Sequence, residues 1–244
     1  TVVAEIGPDY GTQLFYDLET NTFFPPVDRS SWDLAFSCEA NNPEVRINGA
    51  KLMRVYDLGP VDFETAQLPS GSLEWEVDAP SGNADSLAFG IWGNPQDDKV
   101  LSNNHVYVVD LGLSVTGQPL GRKKVQFVSF ENQVFTLRFG DLQDPNGYEF
   151  QVAQDADYSF RYLSLQGQGE LVNVAPPKED WDLMFSQYTS LVLNNETGIK
   201  EQYSVNGTLL NPYMVQADVL FDLNFENIDY TTLGQVSWTG QWDI

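Results

Sequence analysis

The sequence predicts an all-β chain built from two related antiparallel units packed together. Three observations carry this. Short runs of alternating apolar residues, rich in β-branched and aromatic types, dominate the chain. Turn residues separate them at strand-like spacing, as in Glu131-Asn132-Gln133, Asp144-Pro145-Asn146-Gly147 and Gln166-Gly167-Gln168-Gly169. One pattern of hairpin, Pro-Pro and Trp-Asp occurs twice.

The first copy runs Phe15-Tyr16-Asp17-Leu18, then Phe24-Pro25-Pro26, then Trp32-Asp33-Leu34-Ala35-Phe36-Ser37. The second runs Tyr162-Leu163-Ser164-Leu165, then Ala175-Pro176-Pro177, then Trp181-Asp182-Leu183-Met184-Phe185-Ser186. Proline cannot donate to a ladder, so each Pro-Pro ends the strand before it. Period 2 predicts Trp32, Leu34 and Phe36 on one buried face, and Trp181, Leu183 and Phe185 likewise. Asp33 and Asp182 then point away from that face, and the expected role is structural: they accept backbone N–H groups and fix the strand entry. An Asn-Gly pair follows each copy, Asn48-Gly49 and Asn206-Gly207, and then a methionine, Met53 and Met214. Between the copies, Val106-Tyr107-Val108-Val109, Val125 to Phe130 and Val134 to Phe139 read as further strands. The expected division is a unit at 1–153 and a second repeat at 154–244 packed on it.

Charge and rare residues exclude several functions. The 244 residues carry 12 Lys+Arg against 35 Asp+Glu, a formal charge of −23. Such a chain repels phosphate, which argues against nucleic acid or an anionic membrane surface as partner. A single Cys38 and a single His105 allow no internal disulfide and no zinc site of the usual Cys/His spacing. Cys38 reads as a small core residue. No G-x-S-x-G elbow accompanies His105, so nucleophilic hydrolysis is not expected.

Paired carboxylates at Asp62/Glu64, Glu74/Glu76 and Asp97/Asp98 lack any signature of a catalytic pair and read as solvated faces. Asp141, Asp144 and Asn146 could offer oxygens to Ca²⁺, yet ordinary turn chemistry accounts for all three. Asn195-Glu196-Thr197 and Asn206-Gly207-Thr208 match the short glycosylation pattern. The irregular segment from Ser70 to Pro95 contains Trp75 and Trp92, which with Tyr107 are the expected aromatic ligand contacts. No basic n-region or apolar h-region opens the chain at Thr1.

With these residues in hand, the chain resembles the HmuY family, haem-binding surface lipoproteins of Bacteroidota. The likeness rests on Ser31-Trp32-Asp33-Leu34-Ala35-Phe36, the Asn48-Gly49 turn, Leu101-Ser102-Asn103-Asn104-His105-Val106-Tyr107-Val108 and Lys123-Lys124-Val125-Gln126-Phe127. In the second half it rests on Ala175-Pro176-Pro177 through Trp181 to Thr189 and on Tyr203 to Pro212. The resemblance implies a mainly-β fold and an outer-membrane lipoprotein facing the cell exterior, its lipid-bearing cysteine ahead of Thr1. It implies ligand capture beside a TonB-dependent β-barrel transporter, with haem as the family's cofactor. The alternative is a non-catalytic accessory subunit of an outer-membrane complex. The family's founding member grips haem iron with two His ahead of the Val-Tyr-Val-Val strand, and residues 52–100 of this chain contain none. Met53 with His105 is the axial pair this chain could offer.

Overall fold

The computed structural model describes residues 3–96, 99–218, 224–229 and 231; the acidic pair at 97 and 98 lies outside them. In chain order the strands are β1 (Thr12–Asp17), β2 (Thr22–Phe23), β3 (Val27–Asp28), β4 (Leu34–Ser37), β5 (Val45–Ile47), β6 (Arg54–Asp57), β7 (Gly93–Gln96), β8 (Lys99–Ser102) and β9 (Tyr107–Asp110). They continue as β10 (Arg122–Glu131), β11 (Val134–Asp141), β12 (Tyr148–Ala153), β13 (Phe160–Ser164), β14 (Glu170–Val172), β15 (Leu183–Leu193) and β16 (Lys200–Leu210). The chain is all-β, as its alternation predicts.

The strands form three antiparallel sheets. Strands β12-β11-β10-β8-β7, with β9 on the other half of β10 and β6 on β9, make a seven-stranded sheet. A four-stranded sheet runs β14-β13-β4-β5, and a five-stranded one runs β16-β15-β1-β2 with β3 also on β1. Long β10 serves two partners because its register shifts between Phe127 and Ser129, and such a bulge bends a strand.

The two repeats are interlocked. The hairpin strand of the second copy, β13, pairs with the Trp-Asp strand of the first, β4; the hairpin strand of the first copy, β1, pairs with the Trp-Asp strand of the second, β15. Registers agree: Leu163 faces Leu34 and Tyr162 faces Ala35 on one side, while Tyr16 faces Leu183 and Phe15 faces Met184 on the other. Both smaller sheets therefore draw strands from either side of residue 153, and the expected division there is not a division between sheets.

The β14-β13-β4-β5 sheet is the middle layer. One face contributes Leu34, Phe36, Val45 and Ile47 to a large core with Phe127, Phe130, Phe135, Leu137 and Phe139 of the seven-stranded sheet. Its other face meets the five-stranded sheet through Trp32, Ala35, Phe15, Val174 and Trp181, with Phe160, Tyr162 and Met184 packed against them. All four residues of β4 are buried as a result.

Two expectations from the repeat need correction. Trp32 does not share a face with Leu34 and Phe36, because the chain bends at Ser31 and Asp33 before regular pairing begins at Leu34. Trp181 likewise packs with Met184, while Phe185 sits on the opposite face with Tyr16 and Phe23. Nor is Asn206-Gly207 the counterpart of Asn48-Gly49. Asn206 lies within β16, opposite Gln187.

The residue playing the part of Asn48 is Asn211. Each donates its side-chain amide to the carbonyl of its Trp and of the residue three before it: Asn48 to Trp32 and Arg29, Asn211 to Trp181 and Lys178. Each accepts the N–H two residues on, from Ala50 and Tyr213. Met214 is 85% exposed where Met53 is fully buried, so the methionines are not equivalent either.

Candidate functional site

The junction of the two repeats is a layer of aromatic pairs. Trp32 meets Tyr162 edge-on at 5.0 Å, and its dyad mate Trp181 meets Phe15 at 4.9 Å. The pairs differ in one bond. The Trp32 indole N–H donates to Gln13 Oε1 at 2.9 Å, and Gln13 Nε2 donates to Ser186. The register places Phe160 where Gln13 would stand for Trp181, and the Trp181 indole nitrogen is buried with no hydrogen-bond partner among the described residues.

A recess of about 110 Å³ opens beside Trp32, walled by Ala35, Phe160, Tyr162, Val174, Met184, Tyr188 and Leu209. Gly207 makes room for the Tyr188 ring, which a Cβ there would approach to 2.9 Å. One wall is the loop Asp78-Ala79-Pro80. Asp78 fastens this loop to β5 by accepting the N–H of Ile47 at 2.8 Å, and it accepts Ala88 N–H at 2.7 Å. Burial pushes its carboxyl up to about 6, against the pull of those two N–H groups and of Arg46. Burial also pushes the Tyr162 phenol up, and its hydroxyl makes no hydrogen bond among the described residues.

Arg46 and Phe160 are shared between the recess and a wider vestibule of about 520 Å³. Arg46 is ion-paired with Glu44, donates to Gly82 O and lies over the Phe160 ring. The vestibule also holds Cys38, Glu39, Tyr158, Lys178 and Tyr213. The Lys178 ammonium lies 4.7 Å from the centre of the Tyr213 ring and forms no ion pair with a described residue. Burial raises the Cys38 thiol, as suits an inert small residue.

The residues expected to bind a ligand lie elsewhere. Trp92 and Tyr107 are in the large core, where Trp92 packs on Phe127 and donates to Pro43 O, and Tyr107 packs on Phe89. Trp75 is half-buried and covered by this chain's own cations, Arg54 at 4.6 Å and Arg122 at 5.4 Å from its ring, both held by Asp110. Its neighbour Glu76 forms a single bridge to Val55 rather than a strand. Asp144 caps its own turn through the N–H of Asn146. Among the described residues, no group of three or more His, Cys, Asp or Glu is placed to hold a metal ion. No described helix is long and apolar enough to cross a membrane.

Met53 and His105 do not make an axial pair for haem iron. Met53 is fully enclosed in the large core at the start of β6. His105 is at the surface, its Nδ1 2.8 Å from Asp57 Oδ2 at the other end of β6. The Met53 thioether is closed into the core, while the His105 ring is held at the surface by Asp57, so the two do not face one common space in which an iron could sit between them.

Sequence reasoning missed the recess. Its residues are scattered over β1, β4, β5, β13, β15 and β16, and only the crossed pairing of the repeats brings them together.

Comparison with known proteins returns one family. No curated protein and no solved structure matches the chain. The family described as HmuY protein matches residues 9–154, more than half the chain, a span that takes in β1 to β12. The chain belongs to the HmuY family.

Proposed function

We propose that this chain is a non-enzymatic ligand-capture lipoprotein on the outer face of the outer membrane, acting beside a TonB-dependent β-barrel transporter. The family match over residues 9–154 carries the reading. The walled recess and vestibule at the repeat junction support it, since small-molecule sites are concave, mostly apolar and sparsely polar. Met53 is enclosed in the core and His105 is at the surface beside Asp57, so the capture read here does not run through axial ligation of haem iron by that pair.

Envelope fractionation with protease treatment of intact cells tests the reading. The expected result is an outer-membrane protein that is cleaved on intact cells and co-purifies with a β-barrel. Recovery in the cytoplasm, or protection from protease on intact cells, contradicts it.

A second reading, an accessory subunit of an outer-membrane complex, is favoured by one observation. The far end of the β15–β16 hairpin exposes Leu191, Val192, Leu193, Ile199 and Tyr203 together. Stoichiometric recovery with a β-barrel, lost on changing Leu193 and Ile199 to Ser, would support that reading.

A further inference from the structure

The recess is one-sided, and that separates it from ordinary packing slack. The repeat dyad gives Trp181 and Phe15 the same relation as Trp32 and Tyr162. Yet the recess is lined by Trp32 and Tyr162 alone of these four. Its extra wall is the loop at Ala79, supplied by the central part of the chain rather than by either repeat.

We propose that this recess binds a small carboxylate carrying one aromatic ring, or a branched aliphatic group of that size, with the ring against Trp32, Phe160 and Tyr162 and the carboxylate directed to Lys178 in the vestibule. The proposal rests on the ligand-capture reading and names the ligand class. Size sets the apolar part. A volume near 110 Å³ suits a single ring, as dry cavities of roughly 150 Å³ hold benzene. It is too small for a tetrapyrrole, since pockets for drug-sized ligands run from about 300 Å³ upward.

Charge sets the other end. Of the two vestibule cations, Arg46 is matched by Glu44, while Lys178 is held only over the Tyr213 ring among the described residues. Glu39, the vestibule's other carboxylate, accepts from the Asn42 amide and lies at the exposed rim. Lys178, with no ion pair among the described residues, is the local cation that a carboxylate seated in the recess meets, against the repulsion of the chain's −23 charge as a whole. The Tyr162 hydroxyl, without a described partner, offers one directional hydrogen bond near the ring.

Three probes of one shape and three charges test this: phenylacetate, 2-phenylethanol and phenethylamine, titrated into the purified full chain by calorimetry. Phenylacetate is expected to bind about tenfold more tightly than phenethylamine, a difference of ~1.4 kcal/mol. Lys178→Gln should shrink that preference to about twofold or less. Ala79→Phe fills the recess from a loop and should abolish binding of all three while far-UV circular dichroism stays unchanged. If that variant fails to fold, the Lys178→Gln comparison still decides.

Failure of every probe to bind at millimolar concentration overturns the proposal, as does tightest binding by phenethylamine. Unchanged binding by a folded Ala79→Phe chain, or an unchanged charge preference in Lys178→Gln, overturns it too. These results on isolated protein stand apart from the cellular test, so failure of the capture reading and failure of this ligand class are told apart.

Discussion

The carboxylate of Asp33 accepts the backbone N–H of Leu165, 132 residues away in the other repeat, at 2.6 Å. Asp182 returns the bond by accepting Leu18 N–H at 2.7 Å. Each Trp-Asp entry is thereby latched to the end of the opposite hairpin. The backbones repeat the exchange, with Asp33 N–H on Leu163 O and Asp182 N–H on Tyr16 O. The two latches differ in surroundings. Asp33 is buried in an ion pair with Lys51, while Asp182 has no ion-pair partner among the described residues.

Removing Asp33 should therefore cost more than removing Asp182. Asp33→Ala strands the Lys51 ammonium in the core, a change of about 3–5 kcal/mol. Asp182→Ala loses one charge-assisted bond to a backbone N–H, about 1.5–3 kcal/mol at most. Urea unfolding of the two variants checks the order, and adding Lys51→Met to Asp33→Ala should recover part of the loss.

The indole bonds predict a second asymmetry. Trp32→Phe leaves Gln13 Oε1 buried and unpaired, whereas Trp181→Phe removes a donor that has no partner among the described residues. Both changes remove the same volume. Trp32→Phe should be the more destabilising by roughly 1–3 kcal/mol, the cost of an orphaned buried acceptor. Equal midpoints in urea would contradict this.

Asn211→Ala should cost as much as Asn48→Ala, about 1–3 kcal/mol, because each amide holds the turn before its own Trp. Asn206→Ala, at an exposed position of β16, should stay within about 0.5 kcal/mol. Thermal unfolding of the three variants separates the structural equivalence from the apparent one in the sequence.

Asp78 should impose a pH dependence of its own. Its carboxyl stands at about 6 when folded against 3.8 for the ordinary group. The folded chain therefore holds this proton more tightly than the unfolded chain does. Stability from this group is full below pH 4, falls as pH rises toward 6, and levels off above; the total change is about 3 kcal/mol. Asp78→Asn should lack this fall. The difference between wild-type and variant stability, measured from pH 4 to 7, isolates it from the other carboxylates.

Haemin should gain no ligand field from Met53 or His105. Neither Met53→Leu nor His105→Ala should alter the absorbance of a haemin mixture with the chain. Loss of a Soret shift in either variant would contradict the arrangement at β6.

Strand content and the repeat were legible because both are written locally: period-2 alternation, Pro-Pro stops and Trp-Asp entries need no long-range information. Partner choice was not. Hairpin and Trp-Asp strands adjacent in sequence pair crosswise, and nothing within one copy distinguishes pairing with itself from pairing with its mate. The true counterpart of Asn48 was hidden by strand length. Trp32 and Asn48 are 16 residues apart, but the 11-residue strands β15 and β16 put 30 between Trp181 and Asn211, and Asn206-Gly207 fell nearer the expected place. Parity failed at Trp32 because a bend at Asp33 interrupts the alternation that carries it. The recess was invisible because it exists only after the crossing.

Native-state hydrogen exchange of two amides tests the interlocking most directly. The Asp33 and Asp182 N–H groups, which donate across the repeats to Leu163 O and Tyr16 O, should exchange with the same opening free energy, equal to that of global unfolding measured with denaturant. Exchange of either through a separate, lower-energy opening would mean that the repeats come apart independently, and the crossed architecture would not hold them as one.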